Sequence, residues 1–411
     1  MSWKNLAMLI TVPKGSLMLN ALAHFERAKP QLGGDVEARA QALQQAELLG
    51  LPTRRVEAWH YTDLPRLLNR SASSSDALTV NDFSALKPHY LVFENGHLSA
   101  DSAQLSAEFV SPDADLSADA MTLYNQALAE NGLTLNLDKS PEAIVIVETK
   151  GSETQHLMHR VRLSAGVKAT VVDDHAALGY SNVIWQVELA ADAELTLVHM
   201  QQSGQYVGHC TVDLATNAQF KQITLLTGGD VARHATDVNL QQSGAKADLH
   251  SAILGNAVSH NDVTYTINHQ AADTHSHTTS HQALADSARG VFQGKVIVQR
   301  DAQRVDAQMQ ARAMMLSSEA EINAKPELEI YADDVVCAHG TAIGEIDADA
   351  LFFLRARGID EASARQLLIA GFVEQLLTHC DDSALADVLR HHIEQKISAL
   401  TLTKLEAEHA V

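Results

Sequence analysis

The sequence predicts a mainly β protein in which a parallel β-solenoid is flanked by helical regions at both ends. From about residue 141 to 336, short runs rich in Val, Ile, Thr and Leu alternate with polar residues, as in 196–200 and 295–299. This alternation is typical of strands. A turn of small residues recurs within the same stretch, and helical periodicity returns on either side of it.

The recurring turn is what indicates a solenoid. It occurs at residues 165–167, 191–193, 216–218 and 243–245, so its closing residues are 26, 25 and 27 positions apart, and weaker copies follow near 273–274 and 303–304. Units of this length hold about two short strands each, and stacked units bury Val, Ile and Leu inside. A large β-sandwich, whose strands recur at similar spacing, is the alternative.

The region before the strands begins with helices. Residues 17–68 have helical spacing, clearest at 36–49, where Gly50 and Pro52 end the helix. The serine-rich residues 71–75 predict a linker, and residues 76–140 have no clear period. These patterns divide the chain into an N-terminal helical domain (1–70), a mixed connecting segment (71–140), the solenoid core (141–345) and a C-terminal helical domain (346–411).

The C-terminal domain returns to helical spacing. Residues 351–358 predict a short helix that ends at Gly358, and Asp360 is the predicted N-cap of a helix over 361–379. A last helix is predicted over 383–408. The predicted apolar face of the 361–379 helix consists of Ala364, Leu367, Leu368, Phe372, Leu376 and Leu377.

Composition limits the function classes. The 30 basic and 51 acidic residues give a formal charge of −21, and the clustered Lys and Arg that neutralise nucleic-acid phosphates are missing. The longest apolar runs are far shorter than the roughly 20 residues that span a bilayer. Thr11, Pro13 and Lys14 interrupt the N-terminal apolar run before a secretory signal can form. We expect a cytoplasmic protein with reduced thiols, since its three cysteines cannot all pair.

Cys337 and His339 are the first candidate site. In an extended segment residues i and i+2 point to the same side, so this thiol and imidazole would supply half of a soft metal site. Plain burial of Cys337 is the alternative. An iron–sulfur cluster usually takes four protein ligands, whereas the chain has only three cysteines, spread from residue 210 to 380. A cluster here would need a second chain to complete it.

A group of histidines is the second candidate. On neighbouring strand positions they predict either a metal-binding pair or, as the pattern favours, an exposed polar ladder. Cys210 is predicted to be buried, with His209 on the opposite face, and Cys380 to be structural. The sequence contains no P-loop, nucleophile elbow or H-E-x-x-H motif, so we do not expect it to hydrolyse a nucleotide itself. The grouped histidines are His250, His260, His269, His275, His277 and His281.

These residues resemble the SufB/SufD family, the scaffold subunits of the SUF iron–sulfur cluster assembly machinery. The resemblance is strongest from residue 331 to 374, in DDVVCAHGT (333–341), GEID (344–347), LFFLRARGI (351–359) and GFVE (371–374). Residues 55–62, RVEAWHYT, are similar to the N-terminal helical motif of that family. Within it, the few cysteines, the length and the Cys-Ala-His-Gly form resemble the SufD branch rather than the SufB branch.

The resemblance implies a right-handed parallel β-helix and a non-catalytic role in a complex with a SufB paralogue and two copies of the ATPase SufC. The histidine matching His339 would lie at the subunit interface and help to hold a nascent, transient iron–sulfur cluster, with Cys337 as the second ligand candidate. No cofactor is expected on the isolated chain, which could instead form a homodimer through the same edge. The C-terminal helices would dock the ATPase through Arg357, Arg365, Leu368, Phe372 and Glu374.

Two other functions fit a β-solenoid. One is a carbohydrate-active enzyme with paired acids on the solenoid face, although such enzymes are commonly secreted. The other is a purely structural interaction module in which Cys337 and His339 are inert core residues.

Overall fold

The computed structural model describes residues 25, 26, 29, 34–70, 81–99 and 119–408, except for the side chains of 399 and 401–408. The linker predicted at 71–75 lies outside these ranges. The chain divides into two compact units, one formed by Met1–Ser71 with Ser111–Glu130 and the other by Ala72–Val110 with Asn131–Val411. No helix among the described residues combines the length and the apolar composition that crossing a membrane requires.

The first unit is helical in its described residues. Asp35 caps the first helix by accepting hydrogen bonds from backbone N–H groups of its first turn, and Gly50 ends it at φ 69°. The buried Arg39 donates from Nη1 to the carbonyl oxygen of Ala129 at 2.9 Å, just past the last helix of the unit. A guanidinium is favoured there because it satisfies carbonyls at the negative end of the helix dipole. The helices are α1 (Val36–Leu49), a 3-10 helix (Glu57–Trp59), α2 (Leu64–Leu68) and α3 (Ala120–Leu128).

The second unit contains the predicted strands. Its described strands are β1 (His89–Glu94), β2 (His97–Leu98), β3 (Asn131–Leu137), β4 (Val145–Lys150), β5 (Gln155–Leu163), β6 (Lys168–His175), β7 (Tyr180–Leu189), β8 (Glu194–Gln201), β9 (Gln205–Leu214), β10 (Gln219–Leu226), β11 (Val231–Leu240), β12 (Lys246–Gly255), β13 (His260–His269), β14 (His275–Leu284), β15 (Arg289–Val298), β16 (Val305–Met315), β17 (Glu321–Ile330) and β18 (Val335–Glu345).

Successive strands alternate between two sheets. The even-numbered strands from β4 to β18 join β1 and β2 in a ten-stranded sheet, and the odd-numbered strands from β3 to β17 form an eight-stranded sheet. Among the described residues every strand pairing is parallel except that of β1 with β2. The parallel β-solenoid prediction is therefore confirmed, and the sandwich alternative, which needs antiparallel sheets, is excluded.

The predicted small-residue turns stack on one another. The N–H of each central residue donates to a carbonyl in the next turn, for example from Gly166 to Ala191 at 2.9 Å. Gly, Asn and Asp adopt positive φ most readily, so these residue types mark the period. Arg304 departs from this preference and is held by a two-point ion pair to Asp273, with both N–O distances 2.6 Å. The stacked positions are Gly166 (φ 71°), Asp192 (60°), Asn217 (55°), Gly244 (78°), Asp273 (59°) and Arg304 (57°).

Two apolar cores lie on opposite faces of the ten-stranded sheet. The interior core fills the space between the two sheets, and the outer core lies between the ten-stranded sheet and the C-terminal helices. Strand alternation assigns residues to one or the other. In β8, Leu195 and Leu197 face the interior, whereas Val198 and Met200 face the helices.

The C-terminal helices occur in the predicted order, but the first spans Ala348–Arg355 rather than the predicted 351–358. Asp360 accepts a hydrogen bond from the backbone N–H of Ser363, and Gly358 has φ 86°. The predicted 361–379 helix is α-helical to Val373 and continues as a 3-10 helix. Leu367, predicted on its buried face, is 54% exposed. The elements are α4 (Ala348–Arg355), α5 (Glu361–Val373), the 3-10 helix Glu374–His379 and α6 (Ser383–Glu408).

Candidate functional site

Cys337 and His339 lie on β18, which is one of the two edge strands of the ten-stranded sheet in the described residues. β18 pairs with β16, so that Cys337 lies beside Ala307 and His339 beside Met309. Ala307 and Met309 belong to the interior core. Because paired residues of parallel strands point the same way, Cys337 and His339 both lie on the interior-facing side of the sheet, as their spacing predicted.

The two side chains differ in exposure. Cys337 is half-buried and packs against the interior core, whereas His339 is exposed. The core ends at this point because neither β17 nor β18 pairs with a further strand in the described part of the chain. We call β17 and β18 together the terminal edge.

The surroundings of Cys337 weaken it as a ligand. Partial burial raises the pKa of its thiol, and this effect outweighs the hydrogen bond from the backbone of Ala307, while the negative charge of Asp306 raises the pKa further. The thiolate rather than the thiol binds metals. The imidazole of His339 is exposed and is the more accessible of the two candidate ligands.

The terminal edge also presents apolar side chains to solvent. A Cβ added at Gly340 would meet nothing within 4 Å, so the fold of this chain does not need a glycine there for space. Unpaired strand backbone together with exposed apolar side chains is typical of a protein-binding edge. The exposed apolar residues on or beside it are Ile330, Tyr331, Val336 and Ile343.

Three of the five partner-binding candidates lie at or near the surface of the C-terminal helices. The Arg357 guanidinium lies 3.4 Å from the centre of the Phe353 ring, a cation–π contact. Arg365 forms an ion pair with Glu361 at 3.1 Å. Leu368 is half-buried.

The other two candidates make contacts within the chain. Phe372 packs against the outer core, and Glu374 pairs with Arg390 at 3.3 Å. The most exposed apolar residues of α4 and α5 were not among the candidates: they are Phe352, Phe353 and Leu367.

The histidine group is divided by the fold. His275 and His277 are exposed, as a polar ladder requires, but the prediction is wrong for the four that are buried: His250, His260, His269 and His281. The ligand atoms of His250, His277 and His379 lie within 4.8 Å of one another. Sequence spacing gave no signal for His379, because it comes from the 3-10 helix after α5.

A buried polar cluster inside the solenoid was also missed. Asp173 Oδ2 accepts hydrogen bonds from Trp185 Nε1 at 2.9 Å and from His199 Nδ1 at 2.8 Å. Burial acts to raise the pKa of Asp173, but the hydrogen bond from His199 and the neighbouring histidines hold it below its ordinary value. The rings of His199 and His234 stack with centroids 4.2 Å apart. Strand alternation from the apolar Val171 would have placed Asp173 inside.

The remaining cysteines lie where the sequence predicted. Cys210 is buried in the interior core, and burial raises the pKa of its thiol. His209, on the opposite face, bonds Asp237 at 2.8 Å. Cys380 is half-buried, and its Sγ donates to the carbonyl oxygen of Asp382 at 3.4 Å. All three cysteines are free.

Fold and site together define a class: a parallel β-solenoid with helices on one outer face and an open terminal edge that carries a histidine and a free cysteine. Residues 145–372 match the family described as SUF system FeS cluster assembly, SufBD core domain. The chain belongs to this family, as residues 331–374 indicated.

The proteins to which this chain is similar are named as members of the same family. SufD of Escherichia coli is 28% identical over 393 residues, which cover 87% of this chain and 92% of that protein. An iron–sulfur cluster assembly SufBD family protein of Synechocystis is 27% identical over 413 residues, covering 87% and 90% of the two chains. SufD of Bacillus subtilis is 28% identical over 173 residues, covering 42% and 39%.

Proposed function

We propose that this chain is a SufD-type, non-catalytic scaffold subunit of the iron–sulfur cluster assembly machinery. It pairs through its terminal edge with a SufB-type paralogue and docks a SufC-type ATPase with its C-terminal helices. Family membership supports the assembly role. The observation that carries the proposal is the unpaired terminal edge with the exposed His339 on it. Three free cysteines suit a reducing compartment such as the cytoplasm.

The cluster in this proposal is cargo and is held transiently. His339 offers an exposed ring nitrogen. Cys337 is the second candidate, and partial burial raises the pKa of its thiol. A cluster usually takes four protein ligands. The paralogue therefore supplies the remaining ligands across the terminal edge, and Cys337 becomes a ligand only when the bound metal favours its thiolate.

The connection between β18 and α4 supports a mechanical link to the ATPase. Only Ile346 and Asp347 separate the two elements. The C-terminal helices also pack on the outer face of the same ten-stranded sheet. A partner that moves these helices therefore acts directly on the strand that carries His339. We propose that nucleotide-driven closure of the ATPases shifts the terminal edge and changes access to the site.

The docking surface for the ATPase follows from exposure. Phe352, Phe353 and Leu367 present apolar side chains. Arg357 lies in the turn between α4 and α5, and Arg365 lies on α5. Apolar anchors flanked by Arg are enriched at protein interfaces. Leu368 contributes at the margin of this surface, whereas Phe372 and Glu374 hold α5 and its continuation in position from within the chain.

Reconstitution tests the proposal. The chain is mixed with a SufB-type and a SufC-type protein of the same organism and analysed by size-exclusion chromatography with light scattering. We expect one complex that contains all three proteins, with two ATPase copies. Failure of the chain to enter a complex with either partner at micromolar concentrations would contradict the proposal.

A further inference from the structure

The imidazoles of His250, His277 and His379 meet on the outer face of the ten-stranded sheet. His250 lies on β12 and His277 on the adjacent β14, where His277 pairs with Asp248. His379 is the last residue of the 3-10 helix that follows α5. The candidate ligand atoms of the three histidines lie within 4.8 Å of one another.

His250 is oriented as a metal ligand would be. It is fully buried, and its Nδ1 bonds the Thr279 hydroxyl at 2.8 Å. Its Nε2 is buried without a hydrogen-bond partner among the described residues. A buried polar atom left unpaired is costly, whereas a ligating histidine typically bonds a fixed partner through one nitrogen and the ion through the other.

The other two histidines can adjust and can be reached from solvent. His277 is exposed and His379 half-buried. A cleft of about 690 Å³, lined in part by Asp248, Cys380 and Asp381, opens beside them. Lys221 in this cleft forms an ion pair with Asp381 at 2.5 Å, and the carboxylates of Asp248 and Asp381 place negative charge near His379.

We propose that His250, His277 and His379 bind a divalent transition-metal ion of the Zn²⁺ type. Three imidazoles suit Zn²⁺, Co²⁺, Ni²⁺, Cu²⁺ or Fe²⁺, whereas Mg²⁺ and Ca²⁺ require oxygen ligands. Three protein ligands leave a fourth tetrahedral position for water. Nothing in this inference depends on the proposed assembly role, because the three histidines lie outside the terminal edge.

Metal binding requires a local rearrangement. The His250 and His379 rings are stacked at 9°, with centroids 3.5 Å apart. Nitrogen lone pairs lie in the ring plane, so two parallel rings do not converge on one ion. Zn–N bonds of about 2.0–2.1 Å bring ligand nitrogens to about 3.3 Å from each other. His379 therefore turns out of the stack toward His250 Nε2, and the ion ties the 3-10 helix to the solenoid.

Zinc titration of the full chain tests the proposal. Calorimetry is performed in a Cys337→Ala/His339→Ala background, so that the terminal edge does not contribute. His277→Gln and His379→Gln each remove one ligand at an accessible position. His275→Gln is the matched control, since His275 is exposed on the same face of β14, two residues earlier.

We expect one Zn²⁺ to bind per chain. His275→Gln should leave the Zn²⁺ affinity unchanged, whereas His277→Gln and His379→Gln should each lower it more than about tenfold. Co²⁺ in place of Zn²⁺ should give the visible absorption of a tetrahedral site, and saturating Zn²⁺ should raise the Tm only where the site is intact. Thr279→Val, which leaves His250 Nδ1 without its partner, should weaken binding by about 10–100-fold. Equal Zn²⁺ affinity in His275→Gln, His277→Gln and His379→Gln, or no stoichiometric binding at all, would overturn the proposal.

Discussion

Cys337 and His339 lie on the same side of β18, two residues apart, but Cys337 packs against the interior core whereas His339 is exposed to solvent. The core ends beside Met309, the β16 neighbour of His339, because no further strand in the described ranges covers it. The terminal edge thus exposes one ligand candidate and keeps the other as a shielded thiol.

Thiol labelling should report on the partner at the terminal edge. In a Cys380→Ala chain, we expect iodoacetamide to modify Cys337 slowly, because the raised pKa lowers its thiolate fraction. Cys210 should not react until the chain unfolds, because it is fully buried. A SufB-type partner should suppress labelling of Cys337. Labelling that is unaffected by the partner would place the interface elsewhere.

A lysine on the terminal edge should block pairing without affecting folding. Val336 is 64% exposed and Leu178, in the loop between β6 and β7, is 55% exposed. Both Val336→Lys and Leu178→Lys should change the free energy of unfolding by no more than about 0.5 kcal/mol. We expect only Val336→Lys to weaken binding of the SufB-type paralogue, by at least about tenfold. Equal affinity of the two variants, measured by biolayer interferometry, would rule out this edge.

Phe352 and Phe372 should separate docking from stability. Phe352 is 73% exposed, so Phe352→Asp should leave the Tm unchanged and abolish binding of the SufC-type ATPase. Phe372 packs against the outer core. Phe372→Ala should therefore destabilise the chain by roughly 2 kcal/mol, less than a fully buried Phe costs. ATPase binding that survives Phe352→Asp would show that the exposed face of α4 is not the docking surface.

Two Asp–His pairs with the same bond length should differ in energy. In both Asp173–His199 and Asp237–His209 the carboxylate oxygen lies 2.8 Å from a ring nitrogen. Both side chains of the first pair are 1% exposed, whereas in the second Asp237 is 44% and His209 24% exposed. Asp173→Asn should cost about 3–5 kcal/mol in urea unfolding, because it leaves a buried polar network incomplete. Asp237→Asn should cost below about 1 kcal/mol. Similar costs would mean that the interior cluster is not structural.

Buried histidines should make the fold acid-sensitive. Burial lowers the pKa of His159 and His269 to about 4 and that of His175 to about 3, from an ordinary value of 6.5. At a pH between the lowered pKa of the folded chain and the ordinary 6.5 of the unfolded chain, these histidines bind more protons in the unfolded chain. The stability is therefore complete above pH 6.5 and decreases as the pH falls, by up to about 1.4 kcal/mol per pH unit for each histidine.

Calorimetry between about pH 7.5 and pH 5 checks this expectation. The Tm should fall with decreasing pH, and His159→Leu should reduce the slope because it removes one depressed pKa. A Tm that is constant over the range would contradict the neutral burial of these residues.

The solenoid was predictable because its turns carry a local signal. Each turn needs a residue that tolerates positive φ, and Gly166, Asp192, Asn217 and Gly244 supply it at nearly constant spacing. The later turns at Asp273 and Arg304 follow longer intervals, so their signal was weaker. Cys337 and His339 were predictable for a similar reason, since i, i+2 spacing alone places them on one side of a strand.

Contacts that depend on how helices pack on the sheet were not predictable. α5 is apolar on most of its circumference, so periodicity permitted a buried face through Leu367 and Leu368 as readily as the observed one through Ile369 and Val373. The same packing brings His379 onto His250, although 129 positions separate them (379−250). Local sequence patterns contain no information on this contact between His379 and His250.

Cluster assembly by the reconstituted complex carrying His339→Ala is the most direct test of the central claim. His275→Ala, an exposed histidine on β14, serves as the control. After incubation with iron, a sulfide source, reductant and ATP, bound iron, bound sulfide and visible absorption are measured on the isolated complex. We expect intact complexes in both cases, wild-type cluster content with His275→Ala, and background content with His339→Ala. Equal cluster content in the two variants would contradict a ligand role for His339.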